Sequence, residues 1–302
     1  MIDIVALGEP MIELNQQPDG RYLQDFGGDT SNAAIVAARL GAKVRYLTLL
    51  GEDWMGDALI SLWQREGVDA HCVRRHPTAP TGVYFVTHGS KGHAFTYLRA
   101  GSAASRMTPA DVPKAALSGA RFLHVSAIGQ AISATARETV SHAIAIAREE
   151  GAQLSYDTNL RLRLWPLEEA RPVVAETARG AQLLKTSIED AHALTGLESE
   201  DAVADHYLGE GASVVVVTLG SKGLLAATTS RRERFAPHRV NAVDATGAGD
   251  ACAGAMLACL CRGSDPFEAA RFANAAAALA TTDYGAIKPV IRRADVERLL
   301  TA

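Results

Sequence analysis

The chain has 302 residues and a mass of 31.9 kDa, so it can bury one large core but is short for two separate domains. A net charge of -4 and a pI near 6.1 offer no general basic surface, and we expect no nucleic-acid partner. No apolar stretch reaches the length that spans a bilayer, so we also expect no membrane partner. We predict one domain over residues 1–302.

The cysteines and histidines show no metal-ligand spacing. Cys252, Cys259 and Cys261 share one run of small residues, where we expect them to pack as small apolar side chains. The N-terminal residues read directly as a strand, without the basic segment of an export signal. These features favour a reducing, cytoplasmic setting.

In chain order, a short apolar run over residues 2–7 ends at Gly8 and is typical of a buried strand. Gly27 and Gly28 then precede Asp29, and a helix is predicted over residues 33–40. Paired glycines, a carboxylate and Asn32 could bring the backbone close to a polyhydroxyl ligand. They could equally form a polar helix start with a flexible lead-in.

A strand over residues 44–50 and a helix reaching about Glu66 come next. Two further strands, residues 81–87 and 93–99, are joined by a hairpin connection over residues 88–92. No helix between them is available to cover this hairpin. We therefore interpret it as part of a small separate sheet, a lid formed by residues of about 10–28 and 81–101.

The lid strands carry side chains that could bind a carboxylate or stack on a sugar. Tyr97 and Arg99 are two residues apart and share a face, and Tyr84 lies on the partner strand. Arginine can clamp a carboxylate and tyrosine can stack on a sugar. The alternative is a solvated edge with an aromatic side chain packed below it.

The remainder of the chain alternates regularly between strands and helices. This alternation predicts a three-layer α/β/α body with a mainly parallel sheet. The predicted strands are 122–126, 152–156, 182–185, 213–218 and 224–228, and the predicted helices are 133–150, 168–179, 187–196, 251–257, 266–282 and 295–300.

Two polar stretches follow strands of this body. Residues 157–163 come at the carboxyl edge, where open α/β sheets place ligands. The glycine-rich corner over residues 219–223 could approach a nucleotide phosphate or ribose, or it could be a tight turn, which this sequence also serves well.

The stretch from Val243 to Asp250 carries the sharpest chemical signal. Gly247 and Gly249 precede a helix-forming run, so free backbone N–H groups and the helix dipole favour an anion there. Asp250, in the first helical turn, is placed to accept a proton from a hydroxyl that attacks a phosphoryl group. The alternative is that the glycines only form a turn and Asp250 only complements the dipole.

Four segments together resemble the ribokinase-like family of carbohydrate kinases, in the same order along nearly the whole chain. They are residues 27–32, 157–161, 218–223 and 244–250. The resemblance implies an α/β body with a β lid, and transfer of the terminal phosphoryl of ATP to a sugar hydroxyl with magnesium. It leaves a monovalent cation open as a further cofactor.

The resemblance also implies roles for individual residues. Asp250 would be the base, with the amides of Gly247, Ala248 and Gly249 as the anion hole. With the lid and helix-start residues above, we predict that the sugar is bound by Gly28, Asp29, Asn32, Tyr84, Tyr97, Arg99, Arg161 and Asp250. We predict that ATP is bound by Asn159, Arg161, Ser187, Thr218, Gly220, Ser221, Gly223, Gly247, Gly249 and Asn274.

The chain departs from the family pattern near the expected metal. Where the family commonly shows Asn-x-x-Glu, residues 187–190 read Ser-Ile-Glu-Asp. A serine oxygen and a carboxylate remain, so Asp190 could support hydrated magnesium through water.

Within the family, the chain is most similar to the 2-keto-3-deoxygluconate kinases, in residues 28–32, 97–104 and 157–161. Arg99 and Arg161 favour an acid sugar, because an arginine without an anion is costly to desolvate. A fructokinase or other neutral-sugar kinase is the alternative. A non-catalytic sugar or nucleotide sensor and a Rossmann dehydrogenase rank below these, and lids that meet in pairs would make the protein a homo-oligomer.

Overall fold

A computed structural model describes residues 2–89 and 92–301. Its strands are β1 (Ile4–Leu7), β2 (Met11–Gln16), β3 (Tyr22–Gly27), β4 (Val44–Leu47), β5 (Leu49–Gly51), β6 (Arg74–His76), β7 (Gly82–Gly89), β8 (Gly92–Leu98), β9 (Phe122–Ser126), β10 (Gln153–Asp157), β11 (Leu183–Ser187), β12 (Val214–Thr218), β13 (Leu224–Ala227) and β14 (Arg232–Phe235). Its helices are α1 (Asp29–Arg39), α2 (Trp54–Arg65), α3 (Ala127–Ala131), α4 (Ala134–Glu149), α5 (Leu167–Ala178), α6 (Ile188–Thr195), α7 (Glu200–Gly209), α8 (Ala248–Cys261), α9 (Pro266–Ala280) and α10 (Arg293–Thr301).

Eight strands form the main sheet, in the order β14-β13-β12-β11-β10-β9-β1-β4. The strands from β12 to β4 run parallel, and β13 and β14 are antiparallel additions at one edge. Strand order reverses at β1, which lies between β4 and β9, and such a reversal opens a crevice at the carboxyl ends of the strands. This is the predicted mainly parallel sheet.

Helices cover both faces of this sheet. One buried apolar cluster joins the sheet to α1, α2, α8, α9 and α10, and the other joins it to α4, α5, α6 and α7. Helices α1 and α8 approach closely at Gly254, where an added Cβ would lie 2.4 Å from the Ala33 carbonyl oxygen. The predicted three-layer α/β/α class is confirmed.

A second, four-stranded sheet has the order β3-β2-β7-β8 and lies within the two predicted lid segments. Strands β2 and β7 pair in parallel, and the other two pairings are antiparallel. One of its faces carries the buried cluster of Met11, Tyr84 and Val86. The connection predicted over residues 88–92 includes Ser90 and Lys91, which lie outside the described residues.

Several predicted boundaries were wrong. The strand predicted over residues 44–50 is two strands, because the chain leaves the main sheet after Leu47 and β5 pairs with β6 instead. Helix α1 begins at Asp29, not at residue 33. Helix α7 and strand β14 were missed; β14 is a short edge strand of charged residues and lacks a buried apolar run.

Within the described residues, we find no helix that is both long and apolar enough to cross a membrane.

Candidate active site

The candidate site lies where the carboxyl ends of β10 and β11 meet the N-termini of α1 and α8. Asp250 is in the first turn of α8 and is half-buried. Its Oδ2 accepts a hydrogen bond of 2.8 Å from the side-chain Nδ2 of Asn32, in the first turn of α1. The fold therefore brings together two predicted sugar-binding residues that are distant in sequence.

The turn before α8 requires glycine. Gly247 has a φ of 78°, and a Cβ there would lie 2.7 Å from the Cα of Ala286. The N–H of Ala248 donates to the Ala245 carbonyl over 3.2 Å, and its place in the anion hole stays a prediction. The turn itself uses that N–H. Within the described part of the chain, the amides of Gly249 and Asp250 have no backbone carbonyl acceptor.

Polar side chains link the site across three elements. The Asn159 side-chain amide donates to Asp29 Oδ2 over 2.7 Å, which joins the end of β10 to the start of α1. Burial, and then the negative charge of Asp29, raise the pKa of Asp250 to about 7, while the Asn32 hydrogen bond opposes the rise. A carboxylate tuned near neutral pH is suited to accept a proton.

Sequence reasoning missed Lys185, which lies below this network. Its ammonium group is 2.8 Å from Asp157 Oδ2 on the neighbouring strand. Burial acts to lower the pKa of Lys185, but the charge of Asp157 and its hydrogen bond outweigh burial and raise it. A lysine directly after two leucines, at the end of a predicted strand, was the available signal.

In the second sheet, Arg99 is paired rather than free. Its Nη2 forms an ion pair with Glu9, which follows β1 and is fully buried. Burial raises the pKa of Glu9, and the charge of Arg99 opposes this. Arg99 Nε is buried without a hydrogen-bond partner in the described residues. The guanidinium thus retains a donor that no described residue satisfies.

Tyr84 and Tyr97 lie on the same face of this sheet, with ring centroids 5.4 Å apart. The Tyr84 hydroxyl donates to Glu13, a buried carboxylate on β2 that sequence reasoning missed. An acidic residue inside the apolar run of β2 could have indicated it. Gly27 is needed at this position, since an added Cβ would lie 2.4 Å from the Tyr84 hydroxyl oxygen.

The second sheet also contacts the segment beneath the α8 turn. A Cβ on Gly285 would lie 3.0 Å from Asp25 Oδ2 on β3, and Lys288 Nζ is 3.9 Å from the same carboxylate. The Gly285 N–H donates to Asp244 Oδ2 over 3.0 Å. This segment therefore touches both the sheet and the turn that leads to Asp250.

At the predicted nucleotide corner, glycine is again required by the backbone. Gly223 has a φ of 91°, and a Cβ there would lie 2.0 Å from the Phe235 carbonyl oxygen. Gly220 and Ser221 are exposed, and Thr218 Oγ1 donates to the Thr186 carbonyl over 3.4 Å. The corner is the tight turn that the sequence allowed, and its exposed residues stay open to a ligand.

The other predicted nucleotide residues already have protein partners. The Asn274 amide donates to the Ala236 carbonyl over 2.7 Å, and Ser187 Oγ caps α6 by accepting the Asp190 N–H over 3.0 Å. Arg161 is exposed and donates to the carbonyl of Leu160 over 2.8 Å. One lone pair of the Ser187 hydroxyl is therefore occupied by the first turn of α6.

Asp190 is half-buried, and burial raises the pKa of its carboxyl group. One of its oxygens accepts the Leu160 N–H over 3.1 Å, which leaves the other available. No group of three or more His, Cys, Asp or Glu side chains that could hold a metal occurs within residues 2–89 and 92–301. One carboxylate oxygen with water and phosphate oxygens suits Mg²⁺, which seldom takes an all-protein cage.

The chain matches the model of the pfkB family carbohydrate kinases over residues 1–293. It is 34% identical to probable fructokinase-4 of Arabidopsis thaliana, covering 98% of this chain and 96% of that one, and 33% identical to 2-dehydro-3-deoxygluconokinase of Thermoproteus tenax, covering 100% and 95%. A double-mutant fructokinase of Vibrio cholerae O395, solved with fructose, ADP and potassium, superposes with a TM-score of 0.90 at 29% identity, covering 99% and 98%. The chain belongs to the PfkB family of carbohydrate kinases.

Proposed function

We propose that the protein transfers the terminal phosphoryl group of ATP to the terminal hydroxyl of 2-keto-3-deoxygluconate, which is also named 2-dehydro-3-deoxygluconate. The product is the 6-phosphate. One observation carries the catalytic part of this proposal: Asp250, held by Asn32 and with its pKa raised by burial to about 7, lies beside backbone amides that have no carbonyl acceptor among the described residues. A base and an anion site therefore lie in the same helical turn.

In the proposed reaction, Asp250 accepts the proton as the sugar O–H bond breaks. The sugar oxygen bonds to the terminal phosphorus, and the bond from that phosphorus to the ADP oxygen breaks. The amides of Gly249 and Asp250 stabilise the charge on the transferring group, and Asn32 holds the carboxylate in place. These residues supply alignment, one proton acceptor and charge stabilisation.

Magnesium, when bound with ATP, neutralises phosphate charge, and Asp190 is the carboxylate that would hold it through water. We assign nucleotide contacts to Asn159, Asn274 and the exposed residues of the corner at 218–223. The potassium in the related fructokinase supports testing a monovalent cation.

The acid sugar is favoured by Arg99. Its buried Nε has no partner within the described residues, and an unsatisfied buried donor is costly. A substrate carboxylate would supply the missing acceptor. Tyr97 lies beside the guanidinium, and the centroid of its ring is 5.6 Å from Arg99 Cζ. Arg161, exposed at the sheet edge, is available to the same carboxylate or to a phosphate.

Fructose is the second candidate, and Glu9 is the observation that favours it. Because Glu9 already neutralises Arg99, the pocket has less positive charge to offer a carboxylate. Similarity to fructokinase is also as high as similarity to the acid-sugar kinase. Buried Glu13 and Asp25 could accept hydroxyl groups of either sugar.

The substrate test is a coupled assay of ADP release with 2-keto-3-deoxygluconate, fructose, ribose and adenosine. We expect the highest kcat/KM with the acid sugar; a clear preference for fructose would exclude it as the main substrate. No sugar-dependent ADP release with any of them would instead favour a sensor. The double variant Glu9→Gln/Arg99→Met should raise the KM for the acid sugar at least ~10-fold. The KM for fructose should stay within about threefold, and Arg161→Met is the matched exposed-arginine control.

The base assignment is tested with Asp250→Asn. We expect ATP affinity to stay within about threefold while kcat falls at least ~1,000-fold, because the remaining binding groups cannot accept the proton. Near-normal turnover would remove the assignment.

We further propose that the protein acts as one domain over residues 1–302, in the cytoplasm, and that the second sheet closes over the sugar as a lid. Exposed Tyr22, Leu23 and Leu98 on this sheet support pairing of two lids in a homo-oligomer. Light scattering of the protein and of a Leu23→Glu/Leu98→Glu variant tests this. A monomeric parent protein would contradict it.

A further inference from the structure

Lys185 occupies an unusual place beneath the α8 turn. Asp157 and Lys185 are register partners on β10 and β11, and their side chains form an ion pair of 2.8 Å. The side chains of Lys185 and Asp157 are only 10% and 4% exposed. A Cβ on Gly249 would lie 3.2 Å from Lys185 Nζ, so the ammonium group lies directly against the turn that bears the Gly249 and Asp250 amides.

Stability alone gives a weak reason for a charged pair at this position. Removing two charges from water is costly, and apolar residues of similar volume often serve a fold as well or better. The residues next to the pair on the same sheet face, Ser155 and Leu183, are buried and carry no charge. The pair is therefore more easily explained by the charges around it.

Those charges are mainly negative. Asp29 on α1 and Asp157 on β10 act on Asp250 with like charge, and Lys185 on β11 acts with opposite charge. On α8 itself, burial raises the pKa of the Cys252 thiol to about 11, so this neighbour is neutral near pH 7. ATP brings further negative charge to the same turn.

We propose that Lys185 is a positioning residue for phosphoryl transfer, whose buried ammonium group offsets the carboxylates around Asp250 and keeps the base ionised beside the bound phosphates. The proposal rests on Asp250 being the base. It assigns Asp157 the task of holding the lysine side chain against the Gly249 turn through their 2.8 Å contact, although Asp157 adds one more negative charge near the base. Lys185 acts through Asp250 and the Gly249 turn and does not itself touch the sugar.

The test is the pH profile of kcat/KM with whichever sugar supports turnover. Removing the positive charge in Lys185→Met should lower kcat at least ~10-fold and move the acid limb to higher pH by about one unit. Removing the negative charge in Asp157→Asn should move the same limb to lower pH. The double variant Lys185→Met/Asp157→Asn should return the limb to within about 0.3 units of the parent.

A merely structural pair would reduce the folded fraction or the melting temperature without moving the limb. An unmoved limb in folded Lys185→Met would therefore overturn the proposal. If Lys185→Met does not fold, Asp157→Asn decides in its place, and a limb that stays fixed or rises would overturn the proposal. Normal turnover of Asp250→Asn would instead refute the assignment of Asp250 as the base. Failure of the proposed function can therefore be distinguished from failure of the role proposed for Lys185.

Discussion

The half-buried carboxylate of Asp250 should lower the stability of the protein, and Asp250→Asn should restore it. A rise in the pKa of Asp250 from 3.8 to about 7 corresponds to about 4 kcal/mol of unfavourable environment for its charge. Since the native carboxyl group holds its proton more tightly than the unfolded one, stability falls as pH rises between these values. Asparagine carries no charge and can still accept the Asn32 hydrogen bond.

We expect the variant to exceed the parent in free energy of unfolding by up to about 4 kcal/mol at pH 8.5, and by less than about 2 kcal/mol at pH 5. Urea titrations at both pH values measure this difference. Glu138→Gln, which neutralises an exposed carboxylate on α4, is the control and should change stability by less than about 0.5 kcal/mol at either pH. A gain that is absent at pH 8.5, or equal at both pH values, would refute the reasoning.

Further predictions concern activity, packing and the second sheet. Since the base must be ionised, kcat/KM of the parent should fall below about pH 7, and an acid limb near pH 4 would contradict the raised pKa of Asp250. Gly254→Ala should destabilise by about 1–3 kcal/mol in thermal unfolding because its Cβ would strike the α1 backbone; Gly209→Ala, with open space around it, is the control and should show no such loss. Arg99→Met should cost about 3 kcal/mol in urea unfolding by leaving Glu9 buried without its partner. Adding Glu9→Gln to Arg99→Met should recover most of the lost free energy of unfolding. If it recovers none, the broken ion pair is not the cause of the loss.

Local sequence was enough to predict most of the body. Residues 122–126 are mostly apolar and predict a buried strand, which agrees with β9. The turn before α8 was equally local, since a φ of 78° at Gly247 needs glycine and a helix start exposes amides in any fold. The family follows from such segments because their order along the chain is itself a sequence property.

The partners of the charged side chains were decided only by the tertiary structure. Asn32 and Asp250 are 218 positions apart, and Glu9 and Arg99 are 90 apart, so no local period relates them. Likewise, Lys185 meets Asp157 because β10 and β11 are neighbours in one particular register. Local patterns show which residues are buried and which form turns. The energy of a buried charge, however, depends on the group that faces it. Strand order and helix packing determine that group.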